Sequence, residues 1–265
     1  MSERPTHPAL DAILEGMQAA ASGQPVPNLP AASGQPVSNS LAASGQSMPR
    51  LLAVSKTQTA DAVAYVAAAL QARLTTPVAL GENYVQETLA KQPALAGLGI
   101  EWHLIGHLQS NKAREAAAAF DWVQTVDRIK LVEALAKHRA PGQSPLNVLI
   151  QVNIDDESSK HGCRPDEIDT LAAAIAAQPQ LALRGLMAIP APDPDMDRRR
   201  TAFRQMRALF DALAARQPGV DTLSMGMSED YALAIAEGAT MVRIGSALFG
   251  ARAQKTSPSS PPEIA

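Results

Sequence analysis

From Arg50 onward the chain alternates short apolar runs with helical patterns, and it does so eight times. The strand-like runs fall at 50–55, 77–81, 100–105, 122–125, 147–153, 183–187, 221–223 and 241–244. Helical patterns follow at 60–73, from 81–87, and at 109–119, 128–139, 166–178, 197–216, 229–237 and 247–253. Strands separated by helices have no hairpin connection, so they pair in parallel, and eight such units predict an α/β fold, a (β/α)8 TIM barrel, as a single domain.

In that architecture the residues just past each strand converge on one face, where barrel active sites lie. The first strand, Leu51-Leu52-Ala53-Val54-Ser55, ends in Lys56. A lysine held against low-dielectric walls loses preference for its charged form, and a neutral amine attacks an aldehyde. The simpler alternative is a strand-end lysine in water. Two later segments have anion-binding character. Ser224-Met225-Gly226-Met227-Ser228 and Gly245-Ser246 place small and hydroxyl residues just before a helix, where free N–H groups attract phosphate. Barrel phosphate sites gather at strands seven and eight. Helix capping by Ser228 and a packing role for Gly245 are the alternatives. A phosphate clamp opposite a lysine points to pyridoxal 5'-phosphate, whose aldehyde forms a Schiff base with lysine.

The segments LLAVSK, GENYVQE, WHLIGHLQSNK, NVLIQVNI, LRGLMAIPAP and LSMGMSEDYALAIAEGATMVRIGSALFGAR, taken in order, resemble the YggS/PROSC family of pyridoxal phosphate homeostasis proteins. The resemblance spans 51–252 and implies a barrel like the alanine racemase N-terminal domain, with the cofactor at the strand C-termini. It implies that Lys56 is the Schiff-base lysine, that Ser224, Gly226 and Ser228 contact phosphate, and that Gly245 and Ser246 add N–H donors and a hydroxyl. It places Arg243 against the pyridine nitrogen and Asn83 on the cofactor face. An always-charged arginine disfavours ring protonation and so weakens the ring as an electron sink. That argues against decarboxylase and aminotransferase chemistry.

Racemisation needs a second acid/base on the far face of the substrate. In alanine racemases a tyrosine from a separate β domain of the partner subunit supplies it, and no such domain is expected after Arg252. Tyr65, Tyr84 and Tyr231 fall in predicted helices, and only Tyr84 starts near the mouth. The expected function is therefore a carrier and buffer of pyridoxal phosphate in vitamin B6 homeostasis, not an enzyme, with apo-enzymes as recipients. An amino-acid racemase is the second reading and a cofactor-regulated partner-binding module the third.

Outside the barrel, residues 1–20 predict an amphipathic helix with Leu10, Ile13, Leu14 and Met17 on one face. The unit Ala-Ala-Ser-Gly-Gln begins at 20, 31 and 42. These repeats offer little apolar surface to bury, so 21–48 reads as a disordered insertion, 49–254 as the cofactor-binding barrel and 255–265 as a frayed tail. The net charge of −3 and 3% aromatic content argue against nucleic acid. Cys163 is the single cysteine, so no internal disulfide forms. The sequence shows neither a membrane span nor a signal pattern, and a cytoplasmic monomer is expected. No metal site is expected. His103 and His107 are four apart, but a strand and the loop after it would not turn them to one face. Lys160 and His161 offer at most a weak anion contact near the mouth, and the Asp193–Arg200 stretch reads as an acidic helix start with a solvated face.

Overall fold

The computed structural model describes residues 5–26, 48–157, 160–191 and 193–250. Eight parallel strands close into a barrel in sequence order, the last pairing with the first. They are β1 Arg50–Val54, β2 Ala79–Glu82, β3 Glu101–Leu104, β4 Trp122–Val126, β5 Leu146–Gln151, β6 Leu181–Met187, β7 Thr222–Met227 and β8 Met241–Ile244. The helices are α1 Pro8–Ala21, α2 Ala60–Gln71, α3 Val85–Lys91, α4 Ala113–Ala119, α5 Ile129–His138, α6 Ile168–Ala176, α7 Met196–Ala214, α8 Tyr231–Ala236 and α9 Ser246–Phe249. None of the described helices is long and apolar enough to cross a membrane. Most of the repeat segment and all of the C-terminal tail lie outside the described residues.

Local chemistry accounts for the element boundaries. Thr59 caps α2 by accepting the Ala62 N–H, and Asp195 caps α7 by accepting that of Asp197. The predicted helix at 109–119 is a 3-10 turn at Ser110–Lys112 followed by α4, and that at 166–178 is likewise a 3-10 turn before α6. The seventh strand differs most from expectation. It runs to Met227, so Ser224 and Gly226 lie within the strand rather than in a turn before a helix. A register shift between Ser224 and Met227 makes this possible. Gly226 takes φ +89°, which L side chains avoid, and a Cβ there would sit 2.4 Å from the Ala234 Cβ. The helix after it starts at Tyr231, because the Asp230 carboxylate turns back to accept the Met227 N–H at 2.7 Å.

Outward-facing strand residues such as Leu51, Ala53, Leu80 and Val123 join the main core with the helices. Inside the barrel two small apolar groups remain separate, Leu52 with Ala79 and Met241, and Trp122 with Leu149 and Met187. Helix α1 packs on α8 through Gly16, where a Cβ would lie 2.2 Å from the Tyr231 hydroxyl. Tyr231 is thus buried against the N-terminal helix.

Candidate functional site

A cavity of about 370 Å³ opens at the C-terminal ends of β1, β2, β3, β6, β7 and β8. Its volume suits a small ligand. Six of the eight residues singled out in the sequence line it: Lys56, Asn83, Ser228, Arg243, Gly245 and Ser246. The two that do not are the ones the strand extension moves. Ser224 is fully buried inside the barrel, and Gly226 is a buried strand residue packed under α8.

Lys56 is half-buried and has no salt-bridge partner among the described residues. The backbone on both sides of it is fixed from behind. Lys91, on α3, donates to the Ser55 carbonyl at 2.7 Å, to Glu82 Oε1 at 2.8 Å and to Glu87 Oε1 at 2.6 Å, using all three ammonium hydrogens. Glu87 Oε1 also accepts the Thr57 N–H, and Ser55 Oγ donates to Glu82 Oε1 at 2.7 Å. Thr57 holds φ +65°, so the turn carrying Lys56 is a specific, clamped shape. Burial pushes the Glu82 carboxyl up, opposed by the hydrogen bonds from Lys91 and Ser55. Sequence reading missed this cluster, although Glu87 and Lys91 stand four apart on a predicted helix.

Arg243 forms part of the cavity wall and is only 3% exposed. Its Nη1 donates to the Ser224 carbonyl at 2.9 Å and to Ser224 Oγ at 2.8 Å, and its Nη2 to the Ala188 carbonyl at 2.8 Å. Burial pulls its pKa down to about 10, against the pull of Asp230, so the guanidinium stays charged at neutral pH. Ser224 passes the contact inward, donating to Gln124 Oε1 at 2.8 Å. The Gln124 amide nitrogen donates to His103 Nδ1 at 2.9 Å and also meets Met241 Sδ at 3.3 Å. Because His103 Nδ1 accepts, the ring proton is on Nε2, which donates to Glu101 Oε1 at 2.6 Å. Arg50 then pairs with Glu101 at 2.7 Å at the opposite face of the barrel. His103 stacks on Trp122 with ring centroids 5.1 Å apart, and its burial lowers its pKa, holding it neutral. Burial pushes Glu101 up, but the contacts with His103 and Arg50 outweigh it and hold the carboxyl at about 2.

The seventh and eighth strands deliver the polar rim. Ser246 Oγ and Ser228 Oγ stand 3.4 Å apart. Gly245 lets the end of β8 lie against β1, since a Cβ there would be 3.3 Å from both the Val54 Cβ and its carbonyl oxygen. The first N–H groups of α9 have no partner within the helix. Arg199, read as part of a solvated basic face, lines the cavity instead and pairs with Asp230 at 3.8 Å. Burial raises the Asp230 carboxyl, opposed by the Met227 N–H and the two arginines, Arg199 and Arg243. Three cations, Lys56, Arg199 and Arg243, thus face two carboxylates, Glu229 and Asp230, which favours an anionic ligand. Val54, Ile105, Ile189 and Met227 supply apolar wall. Asn83 is placed through Gly106, where a Cβ would fall 2.1 Å from the Asn83 carbonyl oxygen.

No tyrosine, histidine or cysteine is among the described lining residues. Tyr84 is 63% exposed, and Tyr65 donates to the Thr6 carbonyl. Cys163 is buried, its thiol pushed up to about 12 by desolvation. Lys160 pairs with Asp155 at 3.0 Å.

The fold and cavity define a (β/α)8 barrel that presents a lysine at its mouth. Residues 38–253 match the alanine racemase N-terminal domain. The pyridoxal phosphate homeostasis protein of Escherichia coli K12 is 52% identical over 203 residues, covering 76% of this chain and 84% of that protein. The protein of the same name from Pseudomonas aeruginosa is 51% identical over 201 residues, covering 76% and 83%. Among solved structures, PipY of Synechococcus elongatus with PLP bound is 35% identical, with a TM-score of 0.67 over 76% of this chain and 92% of that one. Alanine racemase from Corynebacterium glutamicum, at 18% identity and a TM-score of 0.57 over 94% of this chain and 63% of that one, shares the fold. The chain belongs to the family of pyridoxal phosphate homeostasis proteins.

Proposed function

We propose that the cavity holds pyridoxal 5'-phosphate, and that the protein carries or buffers the cofactor in vitamin B6 homeostasis rather than turning over a substrate. The observation that carries this reading is one cavity with Lys56 on the β1 side, the Ser228/Ser246 hydroxyl pair at β7 and β8, and the buried Arg243 cation in the wall. PLP brings an aldehyde that condenses with an amine and a phosphate that needs donors. The residues present fit both demands. Lys56 is the amine. Ser228, Gly245 and Ser246 hold the phosphate, with Arg199 adding charge. Arg243 is assigned to the ring nitrogen, where a permanent cation disfavours protonation. Asn83 and the apolar wall flank the ring. Ser224 acts through Arg243, and Gly226 through the irregularity it allows near the end of β7.

The non-catalytic reading rests on the described lining residues, among which there is no tyrosine or histidine to act as a second acid/base. We further propose a monomer that works in the cytoplasm and hands the cofactor to apo-enzymes. The charged mouth leaves the cargo at a surface another protein can reach.

The test is a visible absorption spectrum of the protein with added pyridoxal phosphate, repeated on Lys56→Ala, with D- and L-alanine racemisation assayed on the same samples. The carrier reading expects a band that vanishes in the variant and no racemisation. Turnover of about 1 per second or more would replace it with the racemase reading. No band in either protein would overturn the cofactor assignment.

A further inference from the structure

Beside the mouth, where the cavity leaves β4 and β5 unused, the ends of β3, β4 and β5 bring together His107, Asp127 and His161. One ligand atom from each lies within 4.8 Å of the other two. The imidazoles are face to face, with centroids 3.7 Å apart and 13° between their planes. The three residues are far apart in sequence, so spacing alone did not pair them.

The backbone that carries them is held firmly. Gly106, just before His107, has its carbonyl bonded by Thr125 Oγ1 of β4 at 3.0 Å. The His161 carbonyl accepts from Gln151 Nε2 at 3.1 Å, and Cys163 pairs with Val152 in an isolated bridge. Asp127 receives Arg128 on one oxygen, Oδ1, which leaves Oδ2 for another cation. Both imidazoles are exposed, and the stacked rings would have to part for their nitrogen lone pairs to converge beside Asp127.

We propose that His107, Asp127 and His161 form a binding site for a divalent transition-metal ion of the zinc type. Two imidazoles and one carboxylate are a borderline donor set that suits Zn²⁺, Co²⁺ or Ni²⁺, whereas Ca²⁺ and Mg²⁺ take oxygen shells. Three protein ligands leave a coordination position open to solvent. The ion ties together the loops after three neighbouring strands, at the rim of the cavity but outside its lining.

The experiment is a titration of the full chain, freed of any affinity-tag histidines and stripped with chelator, using Co²⁺ followed by its visible absorption and Zn²⁺ followed by calorimetry. One equivalent is expected to bind per chain. Asp127→Asn, His107→Gln and His161→Gln are each expected to weaken binding by about tenfold or more. His138→Gln, away from the cluster on α5, is expected to leave it unchanged. In the unmodified protein, imidazole NMR resonances of His107 and His161 are expected to shift with Zn²⁺ while those of the buried His103 stay put. The absence of saturable binding, equal binding in the three variants, or Zn²⁺ shifts confined to other histidines would overturn the proposal.

Discussion

Lys91 donates to the carbonyl of Ser55 at 2.7 Å, so the residue preceding the mouth lysine is held by a second lysine approaching from behind the barrel wall. The same ammonium neutralises Glu82, which is fully buried and whose Oε2 has no hydrogen-bond partner. Lys91→Met strips the cation from that carboxylate, and removing one partner of a buried pair costs about 3–5 kcal/mol. A urea melt is expected to show this loss. Cofactor affinity, measured where the variant is still folded, is expected to fall because the turn carrying Lys56 is released. Lys91→Met combined with Glu82→Gln is expected to recover part of the stability but not the affinity.

Gln124 connects Ser224 to His103, and Gln124→Leu leaves both without their partner. Each buried group so orphaned costs about 1–3 kcal/mol. Arg243 would then keep its carbonyl acceptors at Ser224 and Ala188 but face a Ser224 hydroxyl no longer fixed in direction. The absorption maximum of the bound cofactor is therefore expected to move in Gln124→Leu, and in Ser224→Ala, although neither residue lines the cavity.

Gly106→Ala sets a methyl against the Asn83 carbonyl at 2.1 Å, a clash with main chain that no side-chain rotation relieves. A loss of at least about 1–3 kcal/mol is expected, together with weaker cofactor binding. Gly97→Ala is the control. Its φ is +87° but nothing lies within 4 Å of the added methyl, so it pays backbone strain alone and spares the site.

Acid destabilises the barrel interior in two stages. His103 is held neutral by burial, whereas in the unfolded chain it takes a proton near pH ~6.5. Below that pH the unfolded state binds more protons, so stability is complete above it and declines as pH falls. Glu101, held at about 2, adds a second decline as pH drops from its ordinary range toward that value. Urea midpoints measured between neutral pH and pH ~5 are expected to fall in the native protein and to fall less in His103→Gln.

The barrel was legible because each strand is an apolar run closed by a helical pattern, and that alternation admits few topologies. The mouth residues followed from the strand ends wherever the ends were marked, as at Lys56, Asn83 and Gly245. Ser224 and Gly226 were placed a step too far out, because the bulge that lengthens β7 depends on the packing of α8 over Gly226 rather than on any local apolar pattern. Arg199 was hidden within a run of three arginines. Only the approach of α7 to Asp230 distinguishes it from its neighbours, and that approach is tertiary. His103 lies in a predicted strand, and it packs on Trp122. Its partners Gln124 and Glu101 lie on β4 and at the start of β3, and no spacing announces that they meet.

The row of hydrogen bonds from Arg243 to Glu101 has a sense of direction: every hydrogen in it points away from the mouth. A single member cannot reverse its role without leaving a neighbour facing a like group. Residues 103, 124 and 224 therefore form one coupled unit. Their substitutions are expected to be strongly epistatic in double-mutant cycles and to be tolerated only as matched sets.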